Sequence, residues 1–183
     1  MKPCVLSRAP FVALLITPII WMACAGEPDW PPAGYQRYTS TDHGFQMDIP
    51  EGWDVVPDYS IAYQGEELVG DAFRGPKVGD YRVNVTVVSR SVAGFTAEQV
   101  YANEISQARS DHPDLQLAAR SVHGHPAKIF KFHAYGEAYI VEVSEAHVIL
   151  GDTEWIITLA NDAALRSEAV FDRMLDSFEE ASP

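Results

Sequence analysis

The chain has 183 residues, 47% of them hydrophobic and 11% aromatic, with 13 Lys and Arg against 26 Asp and Glu for a formal net charge of −13. That apolar content excludes a disordered chain and suits one folded domain. The acid excess argues against nucleic acid as a partner, because nucleic acid is held mainly by Lys and Arg neutralising phosphates. The two cysteines, Cys4 and Cys24, both lie near the N-terminus, so neither a disulfide framework nor a multi-cysteine zinc site holds the body of the fold.

Residues 1–25 read as a bacterial secretory signal. Lys2 and Arg8 precede an uncharged, mostly apolar run, Phe11 to Met22, that ends in small residues and is too short for a comfortable membrane span. Two cleavage readings compete at Ala23-Cys24-Ala25. A cut after Ala25 satisfies the small-x-small rule and leaves a soluble chain without cysteine. A cut before Cys24 resembles bacterial lipoprotein processing, in which the thiol carries a diacylglyceryl group; Ala23 suits that motif, whereas Trp21 stands where lipoproteins usually have Leu. The next segment favours the second reading. Residues 26–36 are a Pro-rich tether, and Glu27 to Gly34, with three prolines, would hold a domain about 25 Å from a bilayer at ~3.1 Å per residue. Trp30 within it suits either partial packing on the domain or a bilayer interface. Loss of Lys2 and Arg8 leaves 11 basic against 26 acidic residues, a net charge of −15. Anionic headgroups would repel such a surface, so attachment must come from the lipid.

The body, residues 37–180, reads as one domain. Tyr35 to Ser40 and Phe45 to Ile49 form a hairpin around a turn at Thr41 to Gly44, with Phe45, Met47 and Ile49 alternating against Gln46 and Asp48. Trp53 and Val55 return toward the core. Pro57 to Asp80 is the least periodic stretch and reads as a glycine-rich loop, with short strands near Ile61 to Tyr63 and Asp71 to Arg74. Tyr81, Val83, Val85 and Val87 alternate as a strand. Thr96-x-x-Gln99 forms a capping box for a helix whose stripe is Ala97, Val100, Tyr101, Ile105 and Ala108, ended by Pro113. Strands follow at Leu115 to Ala119 and Lys128 to Tyr135, separated by a turn at Gly124 to Pro126. A long strand through Tyr139, Val141, Val143, His147 and Ile149 carries a bulge at Ser144 to Ala146. Gly151-Asp152 is a two-residue hairpin turn. Trp155 to Ala160, apolar on both parities, is a central strand. Asn161 or Asp162 caps a last helix with a broad stripe of Leu165, Ala169, Val170, Phe171, Met174, Leu175 and Phe178. The order gives an α+β fold, a largely antiparallel sheet flanked by helices.

Phe45-x-Met47-x-Ile49-Pro50-x-Gly52-Trp53, the helix opened by Thr96, Gly124-His125-Pro126-Ala127 before a strand, Trp155-Ile156-Ile157-Thr158-Leu159 and the closing Leu175-Asp176-Ser177-Phe178 together resemble the PsbP-like fold. That group includes photosystem accessory proteins and bacterial envelope lipoproteins of the DcrB and LpqN types. The resemblance spans about Tyr38 to Phe178 and implies an α/β/α sandwich that serves as a non-enzymatic binding or assembly module. It transfers no site residue and no cofactor.

Common enzyme signatures do not occur: the sequence has no His-Glu-x-x-His, Walker loop, Gly-x-Ser-x-Gly or EF-hand. His123 and His125, with His133 and His147 on later strands, are the one set a zinc or copper site could use, although a turn normally leaves such histidines exposed. Glu66, Glu67 and Asp71, or Asp111 and Asp114, could serve calcium, but a solvated surface accounts for them better, because calcium needs six or more oxygens in fixed geometry. The expectation is therefore a binding or accessory lipoprotein of the bacterial envelope, attached to the membrane through Cys24. It would have an envelope protein as partner, engaged by a sheet edge or the Pro57 to Asp80 loop, and no catalytic, cofactor or metal residue. The alternatives are an envelope hydrolase or metal-dependent enzyme with an unrecognised site, and a soluble periplasmic or secreted domain of the same fold.

Overall fold

Phe45, Met47 and Ile49 alternate with polar residues because one face of their strand is buried. β1 (Tyr35–Ser40) and β2 (Phe45–Pro50) form the expected antiparallel hairpin, closed at Gly44 with φ of 72°, a conformation that glycine adopts without strain. A computed structural model describes residues 34–78, 81–135, 140–162 and 167–181. The signal segment with Cys24, residues 26–33 of the tether with Trp30, and Gly79, Asp80, Tyr139 and Leu165 lie outside the described residues.

Seven further strands build one antiparallel sheet: β3 (Asp54–Tyr63), β4 (Glu66–Val78), β5 (Tyr81–Ser91), β6 (Gln116–Val122), β7 (His125–Tyr135), β8 (Ile140–Leu150) and β9 (Thr153–Asp162). Helix α1 (Ala97–Asp111) joins β5 to β6, and α2 (Glu168–Ser177) precedes a short β10 (Glu179–Glu180) that pairs with β2. The strand order is β3-β4-β5-β9-β8-β7-β6. β9 lies at its centre, which is why Ile156 and Ile157, on opposite faces, are both fully buried.

Register assigns the faces. On one, Phe73, Val85, Ile129, Val148, Trp155 and Leu159 meet β2 and helix α2 in a single core. On the other, Leu68, Val88 and Ile156 pack with Ile61 and Tyr63, and α1 is fastened by the Tyr101 hydroxyl, which donates to the Pro126 carbonyl at 2.8 Å.

Several expectations are corrected. Pro57 to Val78 is no loop with two short strands; both of those segments lie within the long strands of the β3–β4 hairpin, turned at Gln64 and Gly65, both with positive φ. Periodicity failed there for physical reasons. β3 is an edge strand with mostly exposed or half-buried side chains, and its register shifts between Val56 and Tyr59, where Asp58 has φ of 52°. Glycines also stand where side chains would collide: a Cβ on Gly70 would run into the carbonyl oxygen of Val87 on β5. Gly70→Ala is accordingly expected to lower stability by about 1–3 kcal/mol through overpacking, measurable by urea unfolding. Trp53 is buried as expected, but Val55 is 37% exposed.

β8 runs in continuous register against both neighbours, without a bulge at Ser144 to Ala146. The apolar parity breaks there because the residue in the buried position is Glu145. The preceding turn falls on His123 and Gly124, both with positive φ, and β7 already begins at His125. Helix α2 is preceded by Ser167 rather than by Asn161 or Asp162, which belong to the end of β9; Ser167 makes no capping bond, and its hydroxyl accepts a hydrogen bond from the Asn161 amide. Ala169 is exposed, while Val170, Phe171, Met174 and Leu175 form the buried stripe.

Candidate functional site

The capping box at the start of α1 is present in full: the Gln99 amide donates to the Thr96 hydroxyl, and the Thr96 amide donates to the Gln99 side chain at 2.9 Å. It fixes where the helix starts and therefore which residues face the sheet. Those are Val100, Tyr101 and Glu104; Ile105 and Ala108 are only half-buried, and Ala97 is exposed. The inward stripe is thus centred on a carboxylate, 2% exposed, that a count of apolar residues passes over.

Beneath Glu104 the sheet supplies the rest of a buried ionic network. β8 contributes Glu145 and His147 from one face, β9 contributes Glu154 and Thr158, β5 contributes Arg90, and the end of β3 contributes Tyr63. His147 Nδ1 lies 2.9 Å from Glu154 Oε1, and His147 Nε2 lies 2.8 Å from Glu145 Oε1. Arg90 Nε donates to Glu154 Oε2 at 2.7 Å, and its Nη2 donates to Glu104 Oε1. Tyr63 and Gln64 donate to Glu104 Oε2 at 2.7 and 2.8 Å, and Thr158 donates to Glu145 Oε2 at 3.2 Å. Every carboxylate oxygen of the three glutamates thereby accepts from a protein donor, which is what makes burial of so many charges tolerable. Arg90 also lies over the Tyr63 ring, 5.4 Å from its centroid, and the Phe130 ring is 4.4 Å from that of His147.

The electrostatics follow from this geometry. Burial by itself would push the His147 pKa down, but the hydrogen bonds and charges of Glu145 and Glu154 outweigh it and raise the value to about 9, so the imidazole is a cation at neutral pH. Burial would raise the Glu154 carboxyl, yet His147 and Arg90 hold it below its ordinary range. Burial and the surrounding carboxylates push the Tyr63 phenol far up, so it serves only as a donor. With three carboxylates against Arg90 and His147, the network carries one formal negative charge.

The network is not sealed. A cleft of about 240 Å³, lined among others by Gln64, Glu66, Arg90, Phe95, Asn103 and Glu104, opens onto it, and Phe95 on its rim is 63% exposed. Two roomier clefts of about 390 Å³ each lie elsewhere, one between β6 and α2 and one beside His123 and His125; their charged residues are exposed or half-exposed. Chemistry that depends on buried charge therefore belongs to the smaller cleft.

Of the histidines singled out in the sequence, only His147 enters this network. His125 and His133 lie eight residues apart on β7, about 26 Å along a strand, and project to the opposite face. His133 Nδ1 pairs with Asp114 at 2.6 Å, and His123 Nε2 lies 2.8 Å from the Asp176 carbonyl. The four do not converge. Nor do the acids: Asp71 is buried and accepts from Tyr38 at 2.9 Å, with His43 beside it at 3.7 Å, whereas Glu66 and Glu67 are exposed and Asp111 accepts from Gln107. Sequence reasoning missed Glu104, Glu145, Glu154 and Arg90. The Gly151-Asp152 turn did contain a signal for part of the set, since a hairpin pivoting there puts His147 and Glu154 on one face of neighbouring strands.

No family model matches the chain, and no curated protein matches it by sequence. Solved structures define the class: an antiparallel-sheet protein of PsbP-like fold. The cyanobacterial PsbP (CyanoP) of Synechocystis sp. PCC 6803 aligns with a TM-score of 0.55 at 16% identity, over 85% of this chain and 98% of that one. LpqN of Mycobacterium tuberculosis, described as involved in cell envelope biogenesis, aligns at 0.52 and 12% over 81% and 91%. A Pseudomonas aeruginosa protein of unknown function aligns at 0.52 and 15% over 81% and 98%. At these identities the likeness is one of fold, and none of the network residues takes a role from it. Among the described residues no helix is long and apolar enough to cross a membrane.

Proposed function

We propose that the protein is a non-enzymatic binding or accessory lipoprotein of the bacterial cell envelope, anchored through a diacylglyceryl group on Cys24 and held off the bilayer by the Pro-rich tether. The observation that carries this reading is the fold shared with LpqN, a protein of envelope biogenesis, joined to an N-terminal sequence of lipoprotein type. We read the placement of α1 and α2 against opposite faces of the sheet as the α/β/α sandwich of PsbP-like proteins. The partner is an envelope protein engaged at a sheet edge, β3 or β6, where backbone groups are unpaired by the sheet itself. The network supports a non-enzymatic role, because a general base must face its substrate, and here both imidazole nitrogens of His147 face glutamate carboxylates instead.

Metabolic labelling with palmitate followed by membrane fractionation tests the anchor. The native chain is expected in the membrane fraction carrying label, and Cys24→Ser is expected unlabelled and released. A Cys24→Ser chain that stays membrane-bound, beside a native chain without label, contradicts the anchor. A second reading, a metal-dependent envelope enzyme, is favoured by one observation, the convergence of Glu104, His147 and Glu154.

A further inference from the structure

We propose that Glu104, His147 and Glu154 form a binding site for a divalent transition-metal ion of the zinc class, with the Arg90 guanidinium as the cation that holds the seat in the metal-free protein. The site is independent of how Cys24 is processed. One ligand atom from each of the three residues lies within 4.8 Å of the other two, and all three side chains are buried. Zinc bonds of about 2.0–2.1 Å at tetrahedral angles need ligand atoms about 3.3 Å apart. His147 Nδ1 and Glu154 Oε1 already approach to 2.9 Å, so the contraction falls on Glu104, which Arg90 now spaces from Glu154 by bonding to both.

The donor set fits the ion. One imidazole nitrogen with two carboxylates suits zinc or a similar borderline cation better than calcium, which takes six or more oxygens. His147 has the kind of carboxylate partner that metal-bound histidines normally show: Nε2 faces Glu145, which in turn is held by Thr158, so the ring is oriented with Nδ1 toward Glu154. Glu145 is thus a positioning residue.

Charge moves with the ion: it brings two positive charges among the carboxylates, the guanidinium that now bonds Glu104 and Glu154 swings out with one, and Nδ1 binds the ion as an unprotonated nitrogen. Arg90 has somewhere to go: it lines the cleft, it is the most exposed member of the pair networks it joins, and Gln64 and Glu66 at the cleft wall offer acceptors. The same opening supplies the water for a fourth coordination position.

Calorimetric titration of zinc chloride into the chelator-treated full chain tests the site. The native chain is expected to bind one ion per chain. Glu145→Gln is expected to weaken binding by about 10-fold without removing a ligand, because the His147 ring loses the carboxylate that orients it. Arg90→Gln is expected to tighten it, and zinc is expected to raise the melting temperature of that variant more than that of the native chain. His147→Gln and Glu154→Gln are expected to abolish the stoichiometric binding. Absence of one-to-one binding by both the native chain and a folded Arg90→Gln chain overturns the proposal, as does binding that survives His147→Gln and Glu154→Gln, which would place the ion at a surface histidine.

Discussion

Replacing His147 with Ala is expected to destabilise the protein by about 3–5 kcal/mol in urea unfolding, because removal of one partner from a buried ion pair strands the other. Here two partners are stranded: Glu145 and Glu154 each lose a hydrogen bond inside the protein, and Glu154 is fully buried. The effect carries a pH signature. The His147 pKa lies at about 9 in the folded chain against an ordinary 6.5, so its contribution is complete below the ordinary value and is lost as pH rises through about 9. A shift of that size corresponds to a contribution on the order of 3 kcal/mol. Glu154 acts in the opposite sense, since its lowered pKa gives stability that is present above the ordinary carboxylate value and is lost as pH falls. The native chain is therefore expected to be most stable where both contributions are complete, between the ordinary carboxylate value of 4.5 and the ordinary histidine value of 6.5, and to lose stability steadily above it. In His147→Ala the alkaline limb should disappear. An alkaline limb of unchanged size in that variant would assign the pH dependence to other groups.

Phe45→Ala is expected to cost about 3–5 kcal/mol by leaving a cavity where the two sheets meet. Phe45 is fully buried, and its ring sits 5.8 Å from Trp155 of the central strand, 6.0 Å from Phe178 after α2 and 6.1 Å from Tyr38 on β1. Such edge and offset contacts add to the burial of area. Phe45 belongs to β2, the middle strand of the small sheet, so its loss loosens that sheet from the large one. Val55→Ala, on the exposed part of β3, is the matched control and should fall within about 0.5 kcal/mol of the native chain. Equal losses for the two variants would mean that the small sheet is not fastened through Phe45.

Much of this architecture was legible from residue order. The β1–β2 hairpin, the Thr96 capping box, the Gly151-Asp152 turn and the doubly buried Trp155 to Ala160 strand each arise from a local rule that no distant contact overrides. The β3–β4 hairpin was not legible, because an exposed edge with a register shift and glycines fitted to Val87 and Trp53 has no period to read. The candidate site was hidden for a related reason. Apolar periodicity finds cores by what they usually contain, and this face of the sheet is filled instead by Glu145, His147, Glu154 and Arg90 from three strands, charges tolerable only because they meet one another and Glu104 of α1. At Glu145 that substitution even imitated a bulge.

The proposed envelope role rests on the first residues and the fold, whereas the network rests on α1 and the sheet centre, and the two can be tested separately. The network stands or falls on the charge of one ring. Nitrogen-detected NMR titration of His147 measures it: both ring nitrogens are expected to be protonated at pH 7 and to titrate near pH 9, while the ordinary histidine value is 6.5. A neutral His147 tautomer at pH 7, titrating at or below the ordinary value, would contradict an ionic network beneath α1.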